Sequence, residues 1–178
     1  MTDNQIYAAL ISIISANLAA QSISVGIKQS YQPRQQGAPS APTIFLHKLG
    51  DKAYGFPVRN DVYVSPGVTA HTETQNWETT FQVNALAIQN PSNLTQLTAS
   101  DYLKATQLSL ASESGIIALN LAGLSLLRIT TIKQTDFKDE QSRWETDPSF
   151  DFTVCHTVTN TVNIGSANEV VATLVPAN

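Results

Sequence analysis

The chain has 178 residues, of which 42% are hydrophobic and 13% charged, with a formal net charge of −4. This length suits one domain with a sizeable core. The charged share is about half of what soluble proteins usually carry, and Ser, Thr, Asn and Gln supply the missing polarity. The ten Lys and Arg residues form no cluster, which excludes an electrostatic grip on nucleic-acid phosphates. Cys155, the single cysteine, excludes an internal disulfide framework and a cysteine-based zinc site.

Residues 3–20 have the period of a helix. Tyr7, Leu10, Ile11, Ile14 and Leu18 share one face, alanines favour the helix, and Asp3 is expected to cap it. The uncharged run Asn4–Ile27 has no basic start and is interrupted by Ser12, Ser15 and Asn17. It therefore does not read as a targeting signal or a membrane span, and the protein is expected to stay in the cytoplasm where it is made. Ser22–Tyr31 alternates weakly and is assigned to a strand. Gln32–Pro42 (QPRQQGAPSAP) has three prolines and a glycine and is a long loop. Thr43–Leu49 is a short strand, Gly50-Asp51-Lys52 a turn, Ala53–Tyr63 strand or loop, and Ser65-Pro66-Gly67 a second turn.

Val68–Asn76 leads into Trp77–Ile88 (WETTFQVNALAI), one of two central strands. Trp77, Thr79, Phe81, Val83, Ala85 and Ala87 form its apolar row. Thr98–Ser112 is a helix capped by Thr98 or Ser100. Glu113–Ala122 is a second helix, ended by Gly123 in the left-handed conformation. Leu124–Gln134 is a strand, and the polar Thr135–Ser149 an exposed loop or hairpin tip. Phe150–Ile164 (FDFTVCHTVTNTVNI) is the other central strand, with Phe150, Phe152, Val154, His156, Val158, Val162 and Ile164 on one face. At about 3.3 Å per residue it runs roughly 45 Å, so part of it must leave the core. The element order predicts an α+β fold. A mainly antiparallel sheet is flanked by the N-terminal helix and a central helical pair, with a long β extension; residues 1–165 are expected to form this single domain and 166–178 a C-terminal tail.

No catalytic, cofactor or metal site is expected. Cys155 and His156 are neighbours on a strand, so they face opposite ways and cannot form a dyad. His71 and Glu73 are two ligand types where a metal needs three or four. Asp136, Asp139, Glu140, Glu145 and Asp147 alternate with Lys138 and Arg143 and lack the central glycine of a calcium loop. Neither a phosphate-cradling glycine pattern nor a serine nucleophile elbow is present. An interaction protein fits better. Its expected contact residues are Trp77, Arg143 and Trp144, of types enriched at binding hot spots, with Val170, Val171 and Leu174 in the apolar tail.

The N-terminal helix and strand, ETTFQVNALAI, DYLKATQLSLAS, GIIALNLAGLSLLRI and DPSFDFTVCH resemble, in order and pattern, the tail terminator or neck terminator proteins of tailed bacteriophages. That resemblance implies a structural protein of the virion, made in the host cytoplasm, without catalytic residues, cofactor or membrane. It implies a hexameric ring that caps the tail tube, joins sheath and neck or head-completion proteins, and lets DNA pass through its lumen. Two alternatives stay open: another ring protein of the neck or tail, or a non-catalytic carbohydrate- or peptide-binding module using Trp77, Trp144 and the threonine-rich faces.

Overall fold

Helix α1 (Asp3–Ala20) begins with a capping box. The Thr2 hydroxyl accepts from the Gln5 N–H, and the Gln5 side chain accepts from the Thr2 N–H at 2.8 Å. Thr2 is thus the cap, in place of the expected Asp3. Asp3 already lies in the first turn, where its carboxylate meets Lys48 Nζ at 2.7 Å. The computed structural model describes residues 1–30, 41–87, 92–93, 95–138 and 144–165, with the side chains of 135–138 and 144–146 outside that description. The proline-rich stretch 31–40 and the tail 166–178 lie outside it.

Six strands form one sheet: β1 (Gly26–Gln29), β2 (Thr43–Ser65), β3 (Val68–Leu86), β4 (Leu124–Ile129), β5 (Lys133–Lys138) and β6 (Trp144–Gly165). Their order is β1-β2-β3-β6-β4, and β5 also pairs with β6. Among the described residues only β1 and β2 run parallel; every other pair is antiparallel. Helices α2 (Ala99–Ala111) and α3 (Glu113–Leu121) join α1 against this sheet, confirming the α+β class. Thr98 caps α2 with a box to Asp101, and Gly123 takes φ 75° after α3, both as the sequence suggests.

Three strand assignments change. Gly50 makes no turn: β2 runs unbroken through Gly50-Asp51-Lys52 with a bulge at Leu49. A bulge absorbs the extra residue that the glycine seemed to spend on a reversal. Leu124–Gln134 is two strands, because Thr130–Ile132 face only two residues of β6. The break is held by the Thr130 N–H to the Asp151 carbonyl (2.8 Å) and by Gln107 Nε2 to the Thr130 carbonyl (2.8 Å). Finally, the polar segment after Gln134 is a hairpin, with β5 pairing the start of β6; its tip, 139–143, is outside the described residues.

The core lies between the helices and one half of the sheet. Ile6, Leu10, Ile14 and Leu18 of α1 meet Ile44, Leu46, Phe81, Val83, Phe150, Phe152 and Val154. Phe81 anchors it: Tyr7 stands edge-on to its ring at 5.3 Å and Phe152 stacks at 5.5 Å. Tyr7 keeps its hydroxyl paired by accepting from the Lys48 N–H at 3.0 Å. Gly115 seats α3 on α2, where a Cβ would come within 2.0 Å of the Ser109 carbonyl oxygen.

Two substitutions probe this packing. Phe152→Ala is expected to cost about 3–5 kcal/mol in chemical denaturation. Gly115→Ala is expected to cost about 1–3 kcal/mol, because a backbone atom blocks the added methyl. A Gly115→Ala variant as stable as the parent would show that α2 and α3 are not locked together there.

Candidate functional site: an uncovered sheet arm

The helices cover the sheet only to the row Ala53–Trp77–His156–Leu124. Beyond it, β2, β3 and β6 continue as a three-stranded arm. No residue from Leu49 to Val64 or from Thr157 to Gly165 is buried, and Val68–Glu78 of the middle strand contains no buried residue either. The β6 part, from Thr157 to Gly165, extends roughly 30 Å. Its apolar row runs on from the core, so Val158, Val162 and Ile164 are exposed where Phe150, Phe152 and Val154 are buried. On β2, Tyr54, Val58, Val62, Tyr63 and Val64 are exposed too.

A bulge produces the most exposed of these side chains. Tyr54 pairs with Asn76 and Val58 with Thr74, so Gly55-Phe56-Pro57 faces Gln75 alone. Gly55 supplies φ 71°, Pro57 needs no donor there, and Gln75 Nε2 donates to the Gly55 carbonyl at 3.0 Å. Phe56 is left 94% exposed.

The arm's two faces differ. In line with the core lie the rows Tyr63–Thr69–Ile164, Asp61–His71–Val162 and Arg59–Glu73–Asn160. Arg59 Nε donates to Glu73 at 3.0 Å, while His71 pairs with Asp61 through Nδ1 and faces Glu73 through Nε2 at 3.6 Å. The hydrogen bond to Asp61, with its charge, raises the His71 pKa despite some desolvation. The opposite face carries hydroxyl pairs between β3 and β6: Thr72–Thr161 (3.1 Å), Thr74–Thr159 (3.4 Å) and Thr80–Thr153 (3.1 Å).

A polar relay closes the covered half where the arm begins. Lys48 Nζ bridges Asp3 and Asp51; the Thr79 hydroxyl donates to Asp51 at 2.7 Å and stands 3.1 Å from His156 Nε2. The single Thr79 proton goes to Asp51, so His156 Nε2–H is the donor in that second bond. His156 Nδ1 is then a bare acceptor, buried without a partner among the described residues. Burial, followed by the nearby N-terminal ammonium, lowers the His156 pKa, although Asp51 opposes the shift. Burial pulls the Lys48 pKa down, but its bonds to Asp3 and Asp51 raise it on balance. Asp51 titrates lower than usual, because Lys48 and Thr79 outweigh its desolvation.

Cys155 sits on the face opposite His156, and burial, then the charge of Glu78, pushes its thiol pKa up, away from the reactive thiolate. Among the described residues no group of three His, Cys, Asp or Glu could hold a metal, and no helix is long and apolar enough to cross a membrane. Of the residues expected at an interface, Trp77 is half-buried at the root of the arm, between Ala53 and His156. Trp144 opens β6 opposite Lys138, with its side chain outside the described set. Arg143, Val170, Val171 and Leu174 lie outside the described residues. Sequence reasoning passed over Phe56; its signal was Gly-Phe-Pro inside a strand-like run.

Among the described residues, three helices lie on a sheet that outruns them, which defines an α+β protein with one half of its sheet uncovered. The sequence model of the E217 gateway protein gp29 family matches residues 5–166, and the chain belongs to that bacteriophage family. No curated protein sequence matches it. Among solved structures, the fold resembles the sheath/tube terminator, in the extended state, of the extracellular contractile injection system PVC. The TM-score is 0.54 at 14% identity, over 100% of this chain. The chain spans 64% of the length of that terminator.

The two histidines make opposite pH predictions. Histidine in the unfolded chain titrates near about 6.5. His156, with its pKa lowered, costs stability as pH falls below that value, because the unfolded state takes up the proton first. His71, with its pKa raised, adds stability below that value and loses it as pH rises through its folded pKa. In urea unfolding from pH 8 to pH 5, the advantage of the parent over His156→Gln should shrink. Its advantage over His71→Gln should grow. The same sign for both would refute the assigned environments.

Proposed function

We propose that this protein terminates the tail of a bacteriophage. It forms a ring, six copies in the closed state, that caps the tail tube, meets the sheath where one is present, and joins the tail to neck or head-completion proteins. DNA crosses the lumen in transit and is not held. The protein is structural, performs no catalysis and needs no cofactor; its place is the tail and neck of the virion. The observation that carries this reading is the family match, continuous over residues 5–166. The fold it shares with a sheath/tube terminator agrees with it.

The surface chemistry agrees as well. The threonine-paired face presents hydroxyls together with Lys52, Glu78, Arg128 and Asp151, two charges of each sign. Such a face suits a lumen wall, since it offers phosphates no band of cations. The tail at 166–178, with Val170, Val171 and Leu174, is assigned to contacts outside its own core, as are Arg143 and Trp144.

Phage carrying a nonsense mutation in this gene should yield filled heads and unattached tails in electron micrographs, restored to virions by the gene in trans. Normal joined virions without the protein would rule out the role. The purified ring should not retard duplex DNA at physiological salt. Tight binding with a steep salt dependence would contradict the proposed lumen.

A further inference from the structure

The arm has two long edges, and they are built differently. On the β2 side, β1 pairs only with Thr43–Leu46, so the edge beyond has no described strand beside it. That edge guards itself. Its register shifts after Lys48, Tyr54 and Tyr63, Pro57 offers no N–H, and Lys52, Arg59 and Asp61 carry charge. Bulges, proline and charge are what keep an edge strand from pairing with stray chain. The β6 edge has none of these guards. On its outer side β5 and β4 pair with β6 only as far as His156, and the Thr157 carbonyl accepts from the Met1 nitrogen at 3.1 Å. Past that point Val158–Gly165 stays in unbroken register with β3, has neither charge nor proline, and is exposed at every residue. No described strand meets its outer N–H and C=O groups.

We propose that the chain's own tail, Glu169–Pro176 (EVVATLVP), closes this edge as an added antiparallel strand. Three observations select that occupant. The first is position. The tail leaves the sheet at Gly165, where the bare edge ends, and Gly165-Ser166-Ala167-Asn168 has the four-residue length of a hairpin loop, with residues that tolerate left-handed backbone at both its ends. The second is length. With Glu169 opposite Ile164, the pairing reaches Pro176 opposite Thr157. There the carbonyl is already taken by Met1, and proline has no N–H to donate. The third is the pleat. This register sets Val171 beside Val162 and Val175 beside Val158, so the exposed apolar row of β6 gains apolar neighbours. Ala172 and Leu174 fall beside Thr161 and Thr159, and Glu169, the one charged residue of 166–178, falls at the tip in water. The tail of a second copy would meet the same edge in competition with one tethered four residues away, at high effective concentration. Both faces of the arm stay open to partners, so this inference goes beyond the ring reading and holds for a single chain.

The test uses the full chain with Cys155→Ser. Thr159→Cys with Leu174→Cys, opposite each other in this register, should form a disulfide within one chain in a glutathione buffer. The yield should be about tenfold or more above that of Thr159→Cys with Thr173→Cys, whose side chains point to opposite faces. Equal yields from the two pairs would mean a tail that is near but not paired as a strand, and would overturn the proposal. Dimers on mixing the single variants would give the edge to a neighbour's tail and overturn it too. Hydrogen exchange is the second readout. Ala172→Pro with Thr173→Pro removes whichever of those two N–H groups faces β6. Peptides covering 158–165 should then exchange about tenfold faster, while those around Phe81 and Phe152 keep their rates. Unchanged exchange at 158–165 would overturn the proposal in a monomer and in an oligomer alike, and would leave the ring reading standing.

Discussion

The structure depends on one antiparallel ladder. Strands β3 and β6 pair without a register shift from Asn84 opposite Ser149 to Val68 opposite Gly165. Side chains alternate across that ladder, so one continuous row, Phe150 to Ile164, faces the helix side along its whole length. Helices can bury only as much of the row as they span. Phe150, Phe152 and Val154 are closed in by α1 and α2, whereas Val158, Val162 and Ile164 continue past them. The arm is thus the remainder of the ladder that builds the core.

A polar junction divides the two halves. Lys48, Asp51, Thr79 and His156 link through hydrogen bonds and ion pairs in the last covered rows, between β2, β3 and β6. A one-residue slip of β3 against β6 there would part the Thr79 hydroxyl from His156 Nε2 and leave buried polar groups without that bond. The bulges at Leu49 and at Gly55–Pro57 are confined to β2, leaving β3 and β6 in register. Irregularity is thereby moved to the outer strand, where a displaced side chain such as Phe56 meets solvent or a partner.

Both central strands, all three helices, the Gly123 stop and the Ser65-Pro66-Gly67 reversal were legible, because each rests on local periodicity or turn chemistry. Gly50 misled because glycine serves a bulge as readily as a turn, and only the partner strand decides. The split between β4 and β5 depends on Gln107, distant in sequence, reaching the Thr130 carbonyl. The excess length of β6 pointed to an extension, but the arm needs three strands, and the sequence alone showed β2 as two pieces. Phe56 was hidden for the same reason. Trp77 was marked as a contact residue from its type alone. Its half-buried place beside His156 followed only from the register.

The central claim is that the arm, bare in the isolated chain, is a surface for assembly. Amide hydrogen exchange followed by mass spectrometry, on the monomer and on assembled tails, measures this directly. The account predicts that peptides covering 53–65 and 157–165 gain protection in the assembled state, while the core peptides around Phe81 and Phe152 stay as they were. Equal exchange of the arm in both states would contradict it.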